Sequence, residues 1–177
     1  MTPSTRYAAL LRGVNVGGVI VRMADLAETV RGIGFADVRT VLASGNVLFD
    51  AAVEAPEAKR MLEAALRDRF GYEAWVHVVP LDEVARIVAD YPFTRDREGW
   101  HDYAIVVVDE GSRTALLADV DELDPAVESL APGDGVLYWT VERGRSTDSR
   151  LGKNLGRAAH KPSVTTRNLR TLDKLLR

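Results

Sequence analysis

Along the first eighty residues the apolar positions switch between unbroken runs and helical spacing. Tyr7 to Leu11 is a short continuous apolar run, the pattern of a strand buried on both faces. The glycine-rich Arg12-Gly13-Val14-Asn15-Val16-Gly17-Gly18 follows, then an amphipathic helix from Met23 to Ile33 that Gly34 ends. Val38 to Ala43 and Val47 to Phe49 read as strands separated by Ser44-Gly45-Asn46, in which Gly45-Asn46 suits a tight hairpin because both residues tolerate positive φ. Pro56 to Phe70 reads as a second helix with Pro in its first turn, and Ala74 to Val79 as a fourth strand ended by Pro80.

The resulting order, β-α-β-β-α-β, is that of a ferredoxin-like α/β-plait with a four-stranded antiparallel sheet and two helices on one face. Strands one and three do not alternate, so the other face is expected to be covered. The second half offers the cover: helices at Leu81–Ala89 and Ser112–Ala118, strands at Ala104–Val108, Val127–Leu130 and Val136–Val141, and helices at Leu151–Ala159 and Thr166–Leu176. The fold class expected is α+β, with residues 1–80 as the plait and residues 81–177 as a second, less regular α+β subdomain ending in basic helices and docked on the first.

Charge adds an asymmetry that the pattern alone does not show. From Arg143 to Arg177 ten Lys/Arg stand against two acids, a local balance of +8, whereas the rest of the chain carries −11 and the whole −3. A basic segment on an acidic body suggests a site for an anionic ligand. The net negative charge argues against general coating of nucleic acid, because the long-range field repels it.

Composition narrows the chemistry further. At 177 residues the chain is long enough to bury roughly 70% of its unfolded surface without covalent staples. It contains no Cys, which excludes disulfides, thiolate metal sites and cysteine nucleophiles and agrees with a reducing cytoplasm. The opening MTPSTRYAALLRG lacks an apolar run of signal-peptide length, and the apolar runs elsewhere are strand-sized, so a soluble cytoplasmic protein without membrane contact is expected. The three histidines, His77, His101 and His160, have no zinc spacing, and no metal is expected. The acidic run Asp119 to Asp124 lacks the sixth-position Gly of a calcium loop and reads as a solvated turn. No G-x-S-x-G elbow, P-loop or G-x-G-x-x-G is present, so the residues establish no reaction, catalytic residue or cofactor.

Three separated blocks, LLRGVNVGG, DVRTVLASGNVLF and SVTTRNLRTLDKLL, resemble the bacterial family catalogued as domain of unknown function 1697, over Tyr7 to Leu176. The resemblance implies a fold of two related α/β-plait subdomains and no established activity. Leu169 stands where family members usually carry Trp, and Gly18-Val19-Ile20 replaces a longer, more polar Gly-Lys loop.

Candidate binding residues fall in two groups. Arg12, Asn15, Gly17 and Gly18 form a strand-to-helix turn whose backbone N–H groups can make an anion nest; the simpler reading is a chain reversal in which Asn15 bonds its own backbone. Ser44 and Asn46 belong to the hairpin turn, which antiparallel pairing of strands one and three would bring to the same sheet end as Asn15. In the basic segment, Arg150, Lys153 and Arg157 at i, i+3, i+7 would share one helical face. Thr165 or Thr166 would cap the last helix, placing Arg167 and Asn168 in its first turn, a plausible phosphate or carboxylate site. Trp100-His101-Asp102-Tyr103, ahead of a buried strand, would line a pocket or cap an interface between subdomains. The candidate partners are nucleic acid or a phosphorylated small molecule. The alternatives are a small-molecule enzyme with a polar site formed by Asn15, Asn46, Lys153 and Arg167 between the subdomains, and a purely structural basic tail docked on the acidic body. Oligomeric state is not encoded in these patterns.

Overall fold

The unbroken apolar run near the start becomes β1 (Thr5–Arg12), the strand around which the first sheet is built in a computed structural model that describes residues 3–15 and 18–177. β1 pairs antiparallel with β3 (Asn46–Ala51) and with β4 (Trp75–Pro80), while β2 (Ala36–Thr40) borders β3, giving the order β2-β3-β1-β4. Tyr7, Ala9 and Leu11 pack with Val47, Phe49 and Val76 against Leu26 and Val30 of α1 (Met23–Gly32) and Leu62 and Leu66 of α2 (Ala55–Phe70). Ala8, Leu10 and Leu48, on the opposite face, are buried as well, which explains why these strands lack alternation. Gly71 ends α2 in the left-handed conformation, φ 66°.

After α3 (Leu81–Ala89) comes a second four-stranded antiparallel sheet, with β5 (Trp100–Val107), β6 (Glu128–Pro132), β7 (Val136–Glu142) and β8 (Val164–Asn168) in the order β6-β7-β5-β8. Ile105, Val107, Leu137 and Trp139 form its core with Leu116 of α4 (Glu110–Leu117) and Leu151 and Leu155 of α5 (Arg150–Leu155). The short α6 (Leu169–Leu175) follows β8 directly. The protein is thus α+β, with two antiparallel sheets each packed with helices. Its contacts divide into two units, Met1–Arg86 with Thr171–Arg177, and Ile87–Arg170. Among the described residues no helix is long and apolar enough to cross a membrane.

Four local expectations are corrected. Gly45-Asn46 is not a two-residue turn: Val41 to Gly45 connect the strands, Val41 N donates to Asn46 O (2.8 Å), and Asn46 opens β3. β2 starts and ends earlier than Val38–Ala43, with a register shift between Ala36 and Arg39 where Asp37 takes φ 46°. The helix expected over Leu151–Ala159 stops at Leu155, and a separate 3₁₀ turn follows at Ala158–His160. The segment expected to start the last helix, Thr165-Thr166-Arg167-Asn168, is a strand.

Candidate functional site

The first group of candidates lies at one end of the first sheet. Leu10 pairs with Asn46 in the β1–β3 register, and Leu11 N donates to Gly45 O (2.8 Å), which brings the turn after β1 beside the β2–β3 connection. Asn15, at φ 58°, donates from Nδ2 to Ala43 O and accepts at Oδ1 from Val21 N, both at 2.8 Å. Its amide therefore bonds backbone on two other segments, not its own. Asn46 is buried and donates from Nδ2 to Val41 O and to Ser44 Oγ, each at 2.9 Å. The structure thus gathers Asn15, Ser44 and Asn46, and their side chains join the loops to one another. Arg12, ending β1, is half-buried, and burial lowers its pKa. Gly18 is exposed at φ 89°, and Gly17 lies outside the described residues.

The second group lies in the unit Ile87–Arg170. β8 pairs antiparallel with β5, Thr165 opposite Val106 and Arg167 opposite Ala104. Alternation along the strand buries Thr165 and Arg167 together, and Arg167 Nη1 donates to Thr165 Oγ1 (2.8 Å) and Thr166 O (3.0 Å). Neither threonine caps a helix. β-branched residues fit the pleated strand, and Asn168 takes the capping place, its Oδ1 accepting from Arg170 N (2.9 Å) at the start of α6.

The basic stripe is also rearranged. Ser149 caps α5, its Oγ accepting from Gly152 N (3.2 Å), and the buried Glu128 accepts from Leu151 N (3.2 Å) and Trp139 Nε1 (3.1 Å). Gly152 is required by packing, because a Cβ there would collide with the Ser146 carbonyl. Arg150 pairs with Asp119 (3.2 Å) and Glu122 (2.5 Å), the acidic turn that sequence reading left to solvent; the hydrogen bond to Asp119 is the main cause of its raised pKa. Arg157 falls after the end of α5 with an extended ψ of 139°, so the i, i+3, i+7 face does not exist. Arg145 pairs with Asp148 and Glu142, and Arg170 with Asp96. Lys153, Arg157 and Lys161 are exposed and have no ion pair among the described residues.

One buried polar chain escaped the sequence reading. His160 Nε2 lies 3.1 Å from Asn154 Oδ1 and Nδ1 lies 3.5 Å from Ser112 Oγ, while Asn154 Nδ2 donates to Ala115 O (3.2 Å). Because the Asn154 amide nitrogen is used on Ala115, its oxygen accepts from His160, and the chain ties α4, α5 and the 3₁₀ turn together. No spacing motif joins Ser112, Asn154 and His160, so only the tertiary fold reveals it. Among the described residues no group of three or more His, Asp or Glu side chains is placed to hold a metal ion.

No curated protein matches the chain. Among solved structures, the conserved bacterial protein SP0830 from Streptococcus pneumoniae is similar, with TM-score 0.78 and 24% identity over 98% of this chain and 97% of that one, a likeness of fold. An unknown protein from Galdieria sulphuraria covers 94% of this chain and 98% of its own at 11% identity, but its TM-score of 0.29 carries no argument. The family described as "Protein of unknown function (DUF1697)" matches residues 4–138, from the start of the first sheet into β7 and short of the basic segment. The chain belongs to that DUF1697 family.

Proposed function

We propose that the protein is a binding module for a phosphate-bearing ligand, contacted through Lys153, Arg157 and Lys161. In this reading residues 1–80 are a ferredoxin-like plait that acts as scaffold, and the basic segment of residues 81–177 carries the ligand surface. The supporting observation is selective neutralisation. Arg145, Arg150 and Arg170 are engaged by acids of the same unit, whereas three exposed cations within nine residues of chain have no ion pair among the described residues. Unpaired exposed ammonium and guanidinium groups gain on meeting phosphate by releasing its condensed counterions. Guanidinium adds bidentate geometry at Arg157.

The test is fluorescence-anisotropy titration with labelled single-stranded RNA, duplex RNA and duplex DNA at two salt concentrations. Three phosphate contacts predict that affinity for duplex DNA falls about 40-fold between roughly 50 and 200 mM salt. Lys153→Glu/Arg157→Glu/Lys161→Glu should abolish binding and leave the circular dichroism spectrum unchanged. Arg150→Gln, which removes a cation already paired, should bind nearly as the parent does. Absence of binding at the lower salt, or binding unchanged in the triple variant, overturns the reading.

A further inference from the structure

We infer that the unit Ile87–Arg170 contains a second anion site, a cavity that takes one phosphate-type oxyanion at the start of β5. It is formed by the loop before β5, the first residues of β5, Arg143 just beyond β7, and the junction of β8 with α6. Arg95, Arg143 and Arg170 are among its lining residues, together with His101 and Asn168.

Two carboxylates share the cavity, and both are already engaged. Asp102 is 6% exposed and accepts from Tyr91 Oη (2.6 Å), Asp96 N (2.9 Å) and, more distantly, Thr140 Oγ1 (3.4 Å). It pins the loop onto the strand. Burial, then the hydrogen bond to Asp102, pushes the Tyr91 pKa far up, so the phenol stays a donor. Asp96, at φ 57°, accepts from Arg170 Nε (2.9 Å) and Nη2 (2.8 Å) in a forked pair. Arg97 lies 3.3 Å over the Trp100 ring and holds that wall in place.

With both carboxylates satisfied, the lining offers mainly donors, and three Arg against two Asp leave a formal surplus of +1. Such a lining suits a ligand that carries negative charge and only accepts hydrogen bonds. Arg143 is placed to supply the contact. Its backbone N donates to Gly99 O (2.7 Å), and its guanidinium has no ion pair among the described residues. The space inside, about 20 Å³, holds about one water-sized group, so an oxygen of the anion enters while the rest sits at the mouth. The recognised chemistry is therefore the phosphate group, either free or at the end of a larger molecule. This site is independent of Lys153, Arg157 and Lys161.

Thermal unfolding of the full chain in inorganic phosphate and in chloride of equal ionic strength tests the inference. Phosphate at ten times its dissociation constant should raise Tm by about 3–6 °C over chloride. The rise should vanish in Arg143→Gln, whose exposed side chain leaves Tm in chloride unchanged, and persist in Lys153→Gln/Arg157→Gln/Lys161→Gln. Phenyl phosphate separates the sources: a matching rise assigns the site to a phosphomonoester, and a rise with inorganic phosphate alone assigns it to the free ion. Equal Tm in phosphate and chloride, or a phosphate effect that survives Arg143→Gln, overturns the site. Calorimetric titration of phosphate into the parent and Arg143→Gln proteins reads the same contrast without unfolding.

Discussion

Gly45 shows how a residue legible as a type conceals its reason. Sequence marks it as a turn glycine, whereas the structure adds that a Cβ would lie 3.0 Å from both Leu11 Cβ and Val14 Cγ2 at φ 81°. Gly45→Ala should destabilise by about 1–3 kcal/mol, measured by urea unfolding. The buried amide of Asn154, 5% exposed, gives the converse case. Asn154→Ala leaves His160 Nε2–H and the Ala115 carbonyl without this partner and should cost about 1–3 kcal/mol, whereas Lys153→Ala next to it should stay within about 0.5 kcal/mol. Asn15, expected to bond its own backbone, instead reaches Ala43, 28 residues on, whereas Asn46 was readable as turn chemistry because its bonds to Val41 and Ser44 are local. His160 and Glu128 were not, since their partners lie far along the chain and local composition says nothing of them.

Elements with a single consistent signal were readable from sequence, and α3 runs over the expected Leu81–Ala89. β8 was misread because two cues conflict: leucines at helical spacing follow Thr165-Thr166, and the pair serves equally as cap or as β-branched strand. Only the antiparallel partner on β5 decides between them. Backbone chemical shifts over Val164–Asn168 should be extended and become helical from Leu169; helical values beginning at Thr166 would contradict the strand. Trp100 to Tyr103 do not read as strand in the sequence because their polar and aromatic mixture hides the pairing with Trp139 to Glu142 on β7. A pH effect belongs to α4. The Asp109 carboxylate is held below its usual pKa first by the Ser112 N–H, then by the Ser163 and Ser112 hydroxyls. Its contribution is therefore present above the ordinary carboxylate pKa and lost as pH falls through the lower folded value. Asp109→Asn should weaken the acid-side fall of Tm with pH, measured by calorimetry from neutral to acid pH.

For the whole molecule, the charge asymmetry was plain in the sequence, but its outcome was not. The acid partners of Arg150 and Arg170 lie 28 or more residues away, so counting charges could not separate the neutralised cations from the free ones. Periodicity likewise shows that Leu172 and Leu175 belong to a buried face without showing which core receives them. They lie among Thr171–Arg177, the segment that returns to the first unit, and each is about 1% exposed. Leu172→Ala should cost about 2–5 kcal/mol. Hydrogen exchange should speed up in Met1–Arg86; a change confined to Ile87–Arg170 would contradict the assignment.

That return of the chain also orders events during synthesis. The strands of the first sheet are translated first, yet the residues that complete their unit are made after everything in the second. Domains made early usually close early on the ribosome. Here the surface of the first unit that receives Leu172 and Leu175 stays open until the second unit has been made, so the period of its exposure to aggregation and chaperone capture grows with the length of Ile87–Arg170.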